Sequence, residues 1–111
     1  MKDEFYRELD NLLIDKGLQK VSEKKEWGKS FQVQGQGMTM NINGQQFQQP
    51  GQIISMEYRC EVIGDGSVDD KEFSQINFQV KQGDDLVVDI EECIYYDEIE
   101  IVRNIINQIY R

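Results

Sequence analysis

The stretch Gln52-Ile53-Ile54-Ser55-Met56-Glu57-Tyr58-Arg59-Cys60-Glu61-Val62-Ile63 decides the fold. Ile54, Met56, Tyr58, Cys60 and Val62 alternate with Ser55, Glu57, Arg59 and Glu61, the period of two that sends successive side chains to opposite faces of a strand. One set is apolar and the other polar or charged, which predicts a sheet with one dry face and one wet face.

Strand periodicity continues on both sides. Upstream, Phe31 and Val33 alternate with Gln32 and Gln34, and Met38, Met40 and Ile42 alternate with Thr39 and Asn41. The parity slips across Gly35-Gln36-Gly37, which predicts a bulge or a bend between two short strands. Asn43-Gly44 is the strongest hairpin signal in the chain, because a type I′ turn needs positive φ at both central residues. Phe47 then lies on a return strand that Pro50-Gly51 closes with a second turn. Downstream, Gly64-Asp65-Gly66-Ser67 is read as an interruption. Ile76, Phe78 and Val80 follow against Gln75, Asn77, Gln79 and Lys81, and after Gly83-Asp84 come Leu86, Val88 and Ile90 against Asp89 and Glu91.

Helical spacing occupies the two ends. Phe5, Leu9, Leu12 and Leu13 define an N-terminal helix from Lys2 to Lys16, with Asp3 and Glu4 in its first turn and Gly17 as its left-handed stop. Residues 19 to 30, anchored by Val21 and Trp27, read as a short strand or irregular link. At the other end, Asp97 followed by Glu100 reads as an N-cap with capping box. Ile99, Ile101, Val102, Ile105, Ile106, Ile109 and Tyr110 then cover about half of a helix circumference. The expected architecture is a single α+β domain over residues 1–111: two layers, with an antiparallel four- to five-stranded meander sheet flanked by N-terminal and C-terminal helices. A chain of 111 residues with 39% hydrophobic content is enough for one modest core.

Charge is segregated. Residues 1 to 30 carry seven acids and seven bases, residues 31 to 56 carry none, and residues 64 to 111 carry twelve acids against four bases, so the net charge of −9 sits in the C-terminal half. Such a field repels nucleic acid and anionic membranes and attracts basic partners or cations. The only basic cluster with an aromatic is Lys20, Lys24, Lys25, Trp27 and Lys29, and Glu23 and Glu26 dilute it. No apolar run is long enough for a signal peptide or a membrane span, and a cytoplasmic location is expected. Cys60 and Cys93 lie far apart and outside any metal-type spacing, which fits reduced thiols.

Catalysis finds little to work with. The chain has no His, which excludes Ser-His-Asp and Cys-His nucleophile systems. Asp89 and Glu91 project from one strand face near Glu57 or Glu61, but a solvated acidic face is the ordinary explanation of such a set. The loops 65–70 and 82–85 carry carboxylates that suit hard cations, but neither has the EF-hand spacing. The Gly35 to Gly51 region lacks the GxxxxGK spacing and any Lys or Arg to meet a phosphate. No enzyme activity, cofactor or metal is expected, and eight Gln between 32 and 52 describe a neutral, amide-faced hairpin.

The leading expectation is a non-enzymatic acidic module that binds a basic, possibly nucleic-acid-binding, protein and neutralises it. In size and composition, though through no motif, the chain resembles phage anti-defence proteins, immunity proteins and nucleic-acid mimics. Glu57, Glu61, Asp89, Glu91 and Glu92 are the candidate partner-binding residues. One alternative is a small-molecule or divalent-cation site near Tyr58, Tyr95, Tyr96 and Tyr110. The other is a structural subunit of a larger assembly, a homodimer through Ile101 and Ile105 included.

Overall fold

The computed structural model describes every residue except Gln36 and Pro50, and the backbone alone of Met38 and Gln49. In chain order the elements are α1 (Lys2–Asp15), β1 (Gln19–Lys20), β2 (Glu26–Gln34), β3 (Met38–Ile42), β4 (Gln45–Gln49), β5 (Ile53–Val68), β6 (Lys71–Gln82), β7 (Asp85–Tyr95) and α2 (Ile99–Ile109). This is the α+β architecture expected, with helices at both ends. Five strands form an antiparallel sheet in the order β1-β2-β5-β6-β7, and β3 pairs with β4 in a separate ladder.

Each helix is placed by one stripe of side chains. In α1, Phe5, Leu9 and Leu13 recur every four residues and all three are buried. The helix stops as its sequence dictates: Gly17 has φ +87°, its N–H donates to the Ile14 carbonyl, and the Leu18 N–H donates back to Leu13. That 6→1 bond folds the buried Leu18 onto the last turn. In α2, Val102, Ile106 and Tyr110 are fully buried while Ile99, Ile105 and Ile109 pack partly against the core. The expected capping box is absent. Glu98 occupies the N-cap without a side-chain cap bond, its carboxylate instead accepts from the Tyr95 N–H, and Asp97 pairs with Lys71 at 3.2 Å.

The core lies between these helices and one sheet face. Ser74, Ile76, Phe78 and Val80 of β6 alternate buried with the half-buried Gln75, Asn77 and Gln79. Tyr58 and Cys60 of β5, Trp27 of β2 and Ile94 of β7 complete the dry layer. Burying a large apolar side chain stabilises by about 1.5–3 kcal/mol, so this layer is what holds the sheet to its helices. Polar ends are tied off: Trp27 Nε1 donates to Asp10 at 2.7 Å, and the hydroxyls of Tyr6 and Tyr96 meet on the buried Ser74.

One glycine reading is corrected. Gly64-Asp65-Gly66-Ser67 does not interrupt β5, which runs on to Val68 opposite Lys71 to Gln75, with one irregularity between Val62 and Gly64. The glycines make room across the ladder: a Cβ on Gly66 would stand 2.9 Å from the Phe73 ring. The chain reverses later, at Asp69-Asp70, whose φ angles of 51° and 62° fit a type I′ turn built without glycine. The expected turn at Pro50-Gly51 falls partly on Pro50, outside the described residues.

The expected bulge or bend at Gly35-Gln36-Gly37 includes Gln36, outside the described residues. On either side of it β2 pairs with β5 as far as Gln34–Ile53, and β3 pairs with β4 from Met38–Gln49 to Ile42–Gln45, in two separate ladders. Gly35 N–H donates to the Gln52 carbonyl at 2.9 Å. Asn43 and Gly44, at φ 53° and 80°, close the distal hairpin.

Candidate functional site

Beyond the pair Met56–Gln82, β5 has no partner in β6. Residues 32–55 therefore continue as a two-stranded arm, about 40 Å long at ~3.3 Å per residue. The molecule measures 73 × 24 × 21 Å, and its radius of gyration of 19.1 Å exceeds the ~13 Å of a compact chain this size. The arm carries no charge and leaves its apolar residues in water: Val33 is 43% exposed, Met40 41%, Ile42 51%, Phe47 48% and Ile53 66%. The register puts Met40 opposite Phe47 and Ile42 opposite Gln45 on one face, and Thr39–Gln48 and Asn41–Gln46 on the other.

The second surface is the sheet face that no helix covers. Register aligns Glu26, Glu61, Asn77 and Glu91 in one row, Gly28, Arg59, Gln79 and Asp89 in the next, and Ser30, Glu57, Lys81 and Leu86 in a third. Four of the five candidate carboxylates, Glu57, Glu61, Asp89 and Glu91, thus share one face. Glu92 does not, because it pairs with the buried Ile76 on the helix side.

The face is less negative than a count of its acids suggests. Arg59 reaches Glu26 at 2.9 Å and Glu61 at 3.3 Å, and Lys81 is the cross-strand partner of Glu57. Asp89 accepts from Asn77 at 2.8 Å and Gln79 at 3.3 Å. Those bonds, the Asn77 one foremost, hold its carboxyl below the ordinary carboxylate range. A depression at the centre is lined by Glu57, Arg59, Gln79, Lys81 and Leu86. This can offer carboxylates to a basic surface, with a guanidinium at its middle that would face any cation brought to it.

Other candidate groups are engaged within the fold. Tyr58 donates to the Arg111 carbonyl, and Tyr110 donates to Arg59 and accepts from the Gln79 N–H. Tyr95 stacks edge-on with Phe73 on the outer face. Burial pushes the Tyr110 hydroxyl and the Cys60 thiol up; Cys93 is exposed and both cysteines are free. Of the basic cluster, Lys25 lies 3.9 Å from the centre of the Tyr6 ring, and Lys20 and Lys29 lie over Trp27 and Phe31. Among the described residues no three Cys, Asp or Glu side chains converge to hold a metal ion, and no helix is long and apolar enough to cross a membrane. In α2, Ile101 is 43% exposed, and Ile105, one turn on, is half-buried against the core.

Comparison with known proteins finds no family model, no curated protein and no solved structure that matches this chain. The site is read from its own geometry. Sequence reasoning found the hairpin but not its isolation from the body. What the sequence carries is an uncharged segment rich in apolar residues inside a chain of net charge −9; where support for it stops is set by the end of β6 at Gln82.

Proposed function

We propose that this chain is a non-catalytic attachment subunit of a protein assembly, held to its neighbours by the arm of residues 32–55. The observation that carries the reading is the arm itself, an uncharged two-stranded ribbon with Met40, Ile42, Phe47 and Ile53 in water. Isolated two-stranded ribbons are marginal in water, and flat edges with exposed apolar faces invite other chains. Attachment to a neighbour would bury that surface and satisfy those edges. The β2–β5 ladder supplies the test, because Gly35 and Gln52, whose backbones are hydrogen-bonded, can be joined by a two-residue Asn-Gly turn without disturbing the body. The armless chain should keep the far-ultraviolet spectrum of the body and leave the high-mass fractions of a native lysate that contain the intact chain. Co-sedimentation of the armless chain with those fractions counts against the reading.

The four carboxylates that share the uncovered face favour a second reading, docking on a basic protein. Steering by the net field would make such association fast and salt-sensitive. The informative variant is Asp89→Lys with Glu91→Lys in a salt-stepped pull-down; a partner retained through both the salt step and the charge reversal would remove this reading.

A further inference from the structure

We infer that the partner of the arm is a second copy of this chain, the two arms packing with their Met40, Ile42 and Phe47 faces together about a twofold axis. The inference rests on the attachment reading and names its occupant.

Charge argues first. Two bodies of like net charge repel, and residues 31 to 56 are where two copies can touch without bringing like charges together. The arm also holds the bodies apart. Its ~40 Å length is about five Debye lengths at physiological salt, where the Debye length is ~8 Å, so copies joined by overlapping arms pay little repulsion. An uncharged arm gives a basic partner no ion pair, and an uncharged apolar surface that matches its own is at hand in the arm itself.

Size and pattern agree. A standard interface takes about 20–30 residues from each side, and one face of the arm supplies about a dozen, which fits a weak, concentration-dependent dimer. Its distal half is two-faced, with Met40, Ile42 and Phe47 on one side and Thr39, Asn41, Gln46 and Gln48 on the other. Two such ribbons stacked ~10 Å apart bury the apolar faces and leave the amides in water. Because each copy offers the same patch, the contact is isologous and closes at two.

The test is sedimentation equilibrium of the full chain over a range of concentrations and salt. A dimer is expected, at least tenfold weaker in Phe47→Thr, which keeps a strand-forming residue, and unchanged in Gln48→Lys on the amide face. Salt should tighten the dimer or leave it alone, the reverse of what docking on a basic partner predicts. A dimer indifferent to Phe47→Thr, or one that salt dissociates, overturns the inference. So does a chain that is monomeric throughout. In that case, an arm that becomes resistant to protease in native lysate leaves attachment to another protein standing, and an arm that stays cleavable removes both readings.

Discussion

The two halves of one hairpin behave as different materials. From Glu26–Glu61 to Phe31–Met56 the β2–β5 ladder is backed by helices and flanked by β6; from Gln32–Ser55 to Ile42–Gln45 the paired strands have neither. Backbone pairing is common to both, so it is not what separates them. The near half buries Trp27, Tyr58 and Cys60, whereas the far half exposes Met40, Ile42 and Phe47. Ladder hydrogen bonds largely replace bonds to water and contribute about 0.5–1.5 kcal/mol each, so burial decides which part of a ribbon is held.

The largest effect that could break this contrast is in the core. Ile106→Ala should cost about 2–5 kcal/mol in urea unfolding, because Ile106 is fully buried. Phe47→Ala, measured where the chain is monomeric, should stay within about 0.5 kcal/mol; equal losses at the two sites would erase the distinction between body and arm.

Tyr110→Phe should be next, at about 1–3 kcal/mol, since it leaves the Arg59 carbonyl and the Gln79 N–H without their partner. It also has a pH signature. Burial raises the Tyr110 hydroxyl above its ordinary value of 10.0, so its contribution is complete below that pH and is lost as pH rises beyond it. Stability of the parent chain should therefore fall more steeply than that of Tyr110→Phe on the alkaline side.

Gly17→Ala and Gly44→Ala form a matched pair, both at positive φ, where a Cβ costs about 1–2 kcal/mol. The first should lower the global unfolding midpoint. The second should leave it unchanged and speed amide exchange in the arm alone, because the arm opens without the body.

The smallest effect is Asn77→Ala, which should raise the Asp89 carboxyl towards 3.8 in a carboxyl NMR titration. A carboxyl held low contributes above its ordinary value and loses that contribution as pH falls, so the variant should flatten the acid limb slightly.

Much of this was legible where local chemistry has one solution. Gly17 ended α1, Asn43-Gly44 closed the hairpin, and alternation placed Tyr58, Cys60, Ile76 and Phe78 inward. Glycine misled at 64 and 66, because a glycine that makes room for Phe73 looks the same in a sequence as one that turns the chain. The α2 cap was misassigned by one residue: the helix starts after Glu98, and Asp97 pairs with Lys71 on β6, a partner distant in sequence. On the uncovered face, period-two alternation placed four carboxylates together, yet the neutralising position of Arg59 depends on Glu26 from a strand whose pairing sequence alone does not specify. Isolation of the arm was illegible for the same reason, since the end of β6 at Gln82, not the arm's own residues, decides where support stops.

The Asn43-Gly44 hairpin has a kinetic consequence. Trp27 and Cys60 are paired across the ladder but lie about thirty residues apart, and closing that span as one loop would carry an entropic cost that grows with its length. From the turn at Asn43-Gly44 pairing can instead proceed inward in short steps, first β3 with β4 and then β2 with β5. The segment least anchored in the finished molecule is thus placed to guide its most distant core strands into alignment.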